Sequence, residues 1–212
     1  MSAKVDDEMY SKWRNIPTTI IADAAEGAAH LPPEICPLRP RGQQPYLFGR
    51  AVTVRCAPPG LNAVIQGIAK LRRGDVLVLA NDGDESISMS GDIFAGAARR
   101  AGCVGLVCDG AIRDTREIAK WDDFSAFFRA VTPMGGVLKE GGAVNVPVRI
   151  GSKVVMPGDL VVGDDDGVVV IGPDEAESLF PWAQKKIQLE KEWIKALEQG
   201  ATLLDIFNIP SD

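Results

Sequence analysis

An arginine and an aspartate stand side by side where an apolar segment of the sequence ends. The stretch VCDGAIRDTR carries them as Arg113 and Asp114. Arginine presents a planar fork of N–H donors that can bind a carboxylate through two hydrogen bonds, and an aspartate oxygen is a suitable ligand for Mg²⁺ or Mn²⁺. The pair therefore predicts either a site that holds an organic anion beside a divalent metal or an exposed ion pair in a turn.

A second candidate segment, SGDIFAG, precedes this pair in the chain. It reads as the start of a helix, where the first N–H groups have no acceptor within the helix. The N–H groups near Asp92, Ile93 and Phe94 therefore form a predicted anion site, and the Asp92 carboxylate could add an oxygen ligand for the metal. The alternative is that Ser90 or Asp92 only caps the helix and that Gly91 only forms a turn.

The scarcity of histidine limits the chemistry that these segments could perform. The chain has one histidine, His30, in a proline-rich segment. Histidine-based zinc sites and Ser-His-Asp triads are therefore not expected, and the chemistry would depend on carboxylates, arginine and water. Lys70, Lys139 and Lys153 could in principle form an imine with a keto substrate, but none lies in a strongly apolar segment, so a metal mechanism is favoured.

The alternation of strands and helices predicts where the two candidate segments meet. Apolar runs predict strands at 76–80 and 103–108, and the segment 90–102 between them reads as a helix. This order favours a parallel βαβ unit. Since ligands bind beyond the carboxyl ends of such strands, we expect Arg113 and Asp114 to lie beside the start of the helix.

The remaining segments complete the predicted fold. A helix is expected in PTTIIADAAEG with Thr18 or Thr19 as its cap, short β segments follow in the second half, and an amphipathic helix is expected from about Asp174 to Gln199. No linker of low complexity divides the chain. The sequence thus predicts an α/β protein: a single compact domain, residues 1–212, with a βαβ core, additional short β segments and a long C-terminal helix.

The charge and composition of the chain narrow its functional class. The 212 residues carry a formal net charge of −6, which argues against a nucleic-acid surface, where a basic patch is expected. No apolar run is long enough to span a membrane, and the polar N-terminal segment lacks a signal-peptide core, so a cytoplasmic location is predicted. The four cysteines have neither zinc-site nor disulfide spacing and are predicted to be structural thiols.

An ordered series of motifs spans about residues 16–205: FGRAVTV, GDVLVL, GDIFAGAARRAGCVGLVCDGAIRD, NVPVRIG, PGDLVVGDDDGVVVI and the closing helix. This order resembles that of the 4-hydroxy-4-methyl-2-oxoglutarate aldolase family, whose fold includes the regulator of ribonuclease activity A. The most specific part is the Gly-Asp helix start joined to GAIRD. The resemblance implies a fold of the swivelling α/β/β type.

The resemblance also implies a class II pyruvate aldolase with defined residue roles. Asp114 would be the direct ligand of Mg²⁺ or Mn²⁺, and Asp92 would hold the waters around the metal. Arg113 would pair with the pyruvyl group, and the N–H groups of Ile93 and Phe94 would bind its carboxylate. Such an enzyme would cleave a 4-hydroxy-4-methyl- or 4-carboxy-4-hydroxy-2-oxo dicarboxylate to pyruvate and a second keto acid, and would decarboxylate oxaloacetate through the same enolate.

In that family the sites lie between the subunits of a homotrimer or homohexamer. The resemblance places Gly91 in the substrate-binding segment and implies a catalytic glutamate from the closing helix of the neighbouring subunit. The candidates in EKEWIKALEQG are Glu190 and Glu192, of which Glu192 is favoured by its distance from the end of the helix. Either could instead form a surface ion pair with a lysine of the same helix.

Two other functions stay open at this point. The main alternative is a non-catalytic, protein-binding regulator like the regulator of ribonuclease activity A; that branch lacks the metal-binding aspartate, so the presence of Asp114 favours the enzyme. The third is a lyase or decarboxylase on the same scaffold that acts on an unrelated keto acid. The stretch WDDFSAFFRAV departs from the proline-containing strand start usual in the family, which leaves the substrate beyond its pyruvyl half undefined.

Overall fold

The computed structural model of the chain describes residues 8–210 as a mixed α/β fold. The strands are β1 (Cys36–Pro37), β2 (Leu47–Arg55), β3 (Asp75–Ala80), β4 (Ser88–Ser90), β5 (Gly105–Ile112), β6 (Ser125–Val131), β7 (Ala143–Val144), β8 (Val148–Ile150), β9 (Lys153–Val155), β10 (Leu160–Asp164) and β11 (Gly167–Ile171). The helices are α1 (Thr18–Ala24), α2 (Asn62–Ile68), α3 (Asp92–Arg100), α4 (Thr115–Ile118), α5 (Pro173–Glu198) and α6 (Leu203–Phe207).

The central sheet joins β1, β6, β5, β3, β2, β10 and β11 in that order, with β4 paired to β5 and β7 to β2. β2, β3, β5 and β6 run parallel, and β3 and β5 flank α3 in the chain. The predicted βαβ core and the long C-terminal helix are therefore confirmed. The sheet curls strongly, since a Cβ atom on Gly163 of β10 would lie 2.8 Å from Phe127 of β6.

Three apolar clusters hold the layers together. The first packs α2 and α3 on one face of β2, β3 and β5. The second fills the opposite face beneath the β8–β9 hairpin, which explains why β3 reads as an unbroken apolar run rather than an alternating one. The third joins α1 and α5 to β10 and β11. Within residues 8–210, no helix combines the length and apolar character needed to cross a membrane.

The four cysteines are free thiols in different surroundings. Cys103 and Cys108 are buried, Cys56 is half-buried and Cys36 is exposed. Burial raises the pKa of the Cys103 thiol to about 11 and that of Cys56 to about 12. Because the thiolate is the reactive form, burial keeps these two thiols in the less reactive, protonated form at neutral pH.

Neither Thr18 nor Thr19 caps α1, so this part of the sequence prediction is wrong. The N-cap is Pro17, and Thr18 lies within the helix. The Thr18 hydroxyl donates to Asp164 Oδ1 at 2.7 Å and its N–H donates to Asp164 Oδ2 at 2.9 Å. Sequence reasoning could not find this contact, because Asp164 belongs to a strand near the other end of the chain.

We expect Thr18→Val to lower the free energy of unfolding by about 1.5 kcal/mol, because it removes a hydrogen bond to a charged group from a buried side chain. Urea unfolding measures the change. Thr19→Val makes the same substitution at an exposed position of the same helix and should change the free energy by less than about 0.5 kcal/mol. Equal losses in the two variants would contradict the assigned role of the Thr18 hydroxyl.

Candidate active site

The two candidate segments meet where β4 and β5 end. β4 pairs in parallel with the last part of β5, with Ser90 opposite Ile112. The N–H of Arg113 donates to the carbonyl oxygen of Ser90 at 2.9 Å. Since α3 begins just after β4 and α4 soon after β5, the start of α3 lies beside Arg113, as the βαβ order predicts.

A cavity of about 180 Å³ opens at this point. Every residue predicted to bind substrate or metal lines it: Gly91, Asp92, Ile93, Phe94, Arg113 and Asp114. Leu61 and Met89 are apolar residues that also line it. The structure therefore brings together the two candidate segments, which are separated in the sequence by most of α3 and β5.

Asp114 adopts a left-handed backbone conformation, with φ of 56°, at the N-cap of α4. Aspartate is one of the few residues other than glycine that adopts this conformation readily. The Asp114 carboxylate lies between the two segments: Oδ2 accepts the N–H of Asp92 at 3.3 Å and is 3.4 Å from Nε of Arg113. This arrangement aligns a carboxylate, a guanidinium group and a helix start around one cavity.

The start of α3 differs in two respects from the sequence prediction. Its N-cap is Gly91, with no side-chain hydrogen bond, so the alternative that Ser90 or Asp92 caps the helix is wrong. The N–H of Asp92 is already bound to Asp114 and is not available to an external anion. Among the described residues, the N–H groups of Ile93 and Phe94 have no acceptor, so the predicted anion site is reduced to these two donors.

Two glycines let the main chain approach Arg113 and Asp114 closely. A Cβ atom on Gly91 would overlap Asp114 Oδ2 and lie 2.9 Å from Arg113 Cγ. A Cβ atom on Gly135 would overlap Nη1 of Arg113. Gly135 was not identified from the sequence, although the adjacent pair Gly135 and Gly136 after a predicted strand was an available signal.

The carboxylates at the cavity suit a hard divalent ion held by few protein oxygens. Asp92 and Asp114 line the cavity, and residues 8–210 contain no group of three or more Asp, Glu, His or Cys side chains that could hold a metal. Mg²⁺ is commonly bound through one or two carboxylates while it keeps several waters. The donor set therefore fits Mg²⁺ or the similar Mn²⁺, but not a zinc centre built from several nitrogen or sulfur ligands.

The glutamates predicted from the closing helix do not reach the cavity of their own chain. Both lie on α5, where Glu190 is 3.8 Å from Lys186 Nζ and Glu192 accepts a hydrogen bond from Gln188 at 3.0 Å. Neither lines the cavity. A contribution of Glu192 to the site of a neighbouring subunit stays a prediction.

The lysines considered for imine formation also lie away from the cavity lining. The ammonium group of Lys153 lies 3.1 Å from both carboxylate oxygens of Glu175, which gives it a structural partner. Lys70 and Lys139 do not line the cavity either. The preference for metal chemistry over imine chemistry is therefore kept.

Comparison with known proteins gives a consistent set of relatives. The family model described as "RraA-like: Aldolase/RraA" matches residues 18–170. A protein of Halalkalibacterium halodurans named "Putative 4-hydroxy-4-methyl-2-oxoglutarate aldolase" is 36% identical over 184 residues, which cover 87% of this chain and 86% of that protein.

Solved structures also resemble the fold, among them one from Pseudomonas syringae and one from Thermus thermophilis. An uncharacterized protein from Pseudomonas syringae pv. tomato has a TM-score of 0.80 at 28% identity and covers 94% of this chain and 96% of its own. The RNA-processing inhibitor RraA from Thermus thermophilis has a TM-score of 0.65 at 26% identity, covering 73% of this chain and 92% of its own. The relatives thus include both a protein named for an aldolase and a protein named for inhibition.

Proposed function

Because the chain belongs to the RraA-like (Aldolase/RraA) family, we propose that it is a divalent-metal-dependent lyase, a class II pyruvate aldolase. It cleaves a 4-hydroxy-4-methyl- or 4-carboxy-4-hydroxy-2-oxo dicarboxylate to pyruvate and a second keto acid, with oxaloacetate decarboxylation as a side activity. The observation that carries the proposal is the meeting of Arg113, Asp114 and the unpaired N–H groups of Ile93 and Phe94 at one cavity.

The donors at the cavity are suited to the pyruvyl half of such a substrate. The N–H groups of Ile93 and Phe94 bind its carboxylate at the start of α3, where the helix dipole also favours negative charge. Arg113 donates to the pyruvyl oxygens through the guanidinium nitrogens that lie against Gly135. Donors on both sides of the pyruvyl group restrict the substrate to one orientation.

Cleavage requires that negative charge be stabilised as it develops. Breaking the bond between C3 and C4 leaves the electron pair on C3 of pyruvate, from where it is delocalised onto the C2 oxygen as an enolate. Arg113 stabilises this oxygen through donors that are already in place. Asp114, with Asp92 beside it, would hold Mg²⁺ or Mn²⁺, and the bound ion supplies Lewis-acid stabilisation of the same charge.

The proton balance involves the second carboxylate. The 4-hydroxyl loses its proton and becomes the carbonyl of the second keto acid, and the enolate is finally protonated on C3. Asp92 lines the cavity and, through a water molecule, accepts the proton that leaves the 4-hydroxyl. One proton returns from water to C3, so the cleavage releases and consumes no net proton. Decarboxylation of oxaloacetate produces the same enolate from a different leaving group, so one site serves both reactions.

Exposed apolar side chains around the cavity support the association of several copies of the chain. Ile93, Met134 and Leu138 are apolar side chains with exposed fractions of 73%, 60% and 78%, in segments that line or adjoin the cavity. Clustered apolar exposure is typical of surfaces where proteins contact one another. We infer a cytoplasmic homotrimer or homohexamer in which a neighbouring subunit covers this surface and contributes Glu192 to the site.

A non-catalytic, protein-binding regulator is the second candidate. The likeness to the RNA-processing inhibitor RraA from Thermus thermophilis favours it. A carboxylate at position 114 beside an arginine favours the enzyme, because a regulator without chemistry needs no metal ligand there. The two functions are separated by assay.

The deciding experiment measures pyruvate release from 4-hydroxy-4-methyl-2-oxoglutarate and from oxaloacetate, with Mg²⁺ or Mn²⁺ and again with EDTA. Metal-dependent release from both substrates, above the rate without protein, is the expected result. Release from oxaloacetate alone would indicate a decarboxylase or an untested aldol substrate. No release from either by the folded protein would favour the regulator.

A further inference from the structure

The hydroxyl group of Ser90 is buried at the cavity without a hydrogen-bond partner. Ser90 is 3% exposed, and no described residue lies within hydrogen-bond distance and geometry of its Oγ. Gln44, Asn81 and Asp165 each bury one polar atom of this kind too, but none of the three lines the cavity. An unpaired buried hydroxyl is unfavourable in a native protein and calls for a ligand or a water as its missing partner.

The main chain of Ser90 is held in place from two sides. Its carbonyl oxygen accepts the N–H of Arg113 at 2.9 Å and the hydroxyl of Ser88 at 2.8 Å. Ser90 also ends β4, which is paired with β5. Because the main chain is fixed, the hydroxyl changes partners only by rotation about the Cα–Cβ bond, within a residue that lines the cavity.

Few other neutral side-chain donors are available at this wall. The Ser88 hydroxyl is already engaged with the Ser90 carbonyl oxygen. The remaining polar side chains that line the cavity are the charged groups of Asp92, Arg113 and Asp114. Ser90 is thus a donor without a competing partner in the described part of the chain, next to the residue that would bind the pyruvyl group.

We propose that the Ser90 hydroxyl donates a hydrogen bond to an oxygen of the pyruvyl part of the bound substrate. This role rests on the proposed aldolase function and adds a binding residue to it. A hydrogen bond from a hydroxyl group becomes stronger when its acceptor gains negative charge. The bond from Ser90 is therefore stronger to the enolate than to the substrate. Ser90 therefore contributes more to the transition state than to substrate binding.

The test compares two buried serines with opposite expectations. Ser125 is 1% exposed, but its hydroxyl donates to Pro45 O at 2.7 Å and it does not line the cavity. Ser125→Ala is expected to lower the melting temperature and to leave ligand binding unchanged. Ser90→Ala removes an unpaired hydroxyl and is expected to keep or raise the melting temperature, while weakening the binding of the ligand.

The ligand used is oxalate with Mg²⁺, because oxalate is a planar anion that resembles the pyruvate enolate. We expect Ser90→Ala to raise the Kd for oxalate about tenfold, which is the effect of one hydrogen bond to a charged acceptor. Its kcat for pyruvate release should fall by a similar factor with a smaller change in KM. Titration calorimetry, thermal unfolding and steady-state kinetics give the three values.

Two outcomes would overturn the inference while leaving the proposed function in place. If the parent protein binds oxalate and releases pyruvate, but Ser90→Ala does both equally well, the hydroxyl does not contact the substrate. If Ser90→Ala loses stability as Ser125→Ala does and its oxalate Kd is unchanged, the role of Ser90 is structural. A parent protein that neither binds oxalate nor releases pyruvate would instead refute the proposed function, and this inference with it.

Discussion

Asp114→Asn is expected to reduce metal-dependent pyruvate release by about 10³-fold or more, with the protein still folded. The substitution removes the negative charge that would hold the metal, and with it charge stabilisation of the enolate that is worth several kcal/mol. The measurement is kcat/KM at several Mg²⁺ concentrations. The remaining kcat/KM should also depend less on the Mg²⁺ concentration, because the ion no longer has its main protein ligand.

Asparagine is preferred to alanine at this position because of the backbone. Asp114 has a φ of 56°, and asparagine adopts the left-handed region far more readily than alanine. The amide oxygen of asparagine can also still accept the N–H of Asp92, which keeps the start of α3 in place. A loss of activity in Asp114→Asn can therefore be assigned to charge rather than to misfolding.

Asp82→Asn is the matched control for this variant. Asp82 is exposed, has a φ of 52° and does not line the cavity, so the same chemical change occurs in the same backbone conformation. Its kcat/KM should equal that of the parent. Parent-like, metal-dependent activity in Asp114→Asn would remove Asp114 from the metal site and the assignment of the cavity with it.

Arg113→Lys is expected to lower kcat/KM by about 10²-fold, the effect of losing one aligned donor to a developing oxyanion. Lysine keeps the positive charge but cannot present two donors in a plane. The guanidinium group lies directly against Gly135, where a Cβ atom would overlap Nη1, so the cavity is shaped for the planar group. Kinetics with both substrates measure the loss.

The control for the second variant is Arg116→Lys. Arg116 is exposed on α4 and does not line the cavity, so its replacement should leave kcat/KM within about twofold, the usual scale of a surface substitution. Full activity in Arg113→Lys would show that a point charge suffices and that the guanidinium group does not bind the pyruvyl group through two hydrogen bonds.

The sequence predicted the core of the fold because the relevant signals are local. The apolar run of β3 and the helix pattern of α3 are readable from neighbouring residues alone, and the chain order β3, α3, β5 then places Arg113 and Asp114 beside the start of α3. The six predicted residues that line the cavity follow from this reasoning together with the family resemblance.

What the sequence could not supply were contacts between distant segments. The three-residue strand β4 is too short to show periodicity, yet its pairing with β5 fixes Ser90 beside Arg113. The bond from the Asp92 N–H to Asp114 depends on a backbone conformation that no local pattern reveals. The contact of Gly135 with Arg113 likewise appears only when a later loop folds back over the cavity.

The hydrogen bonds that join β4 to the end of β5 have a consequence for how the chain can vary in length. From Ser90 the chain leaves along α3 and returns along β5 to Asp114. Two hydrogen bonds join the start of this segment to its end and close it into a loop: Arg113 N–H to Ser90 O, and Asp92 N–H to the Asp114 carboxylate. An insertion or deletion within the loop would turn α3 by about 100° per residue or reverse the facing of β5. Natural insertions and deletions should therefore collect outside it, as in the segment 81–87 before β4.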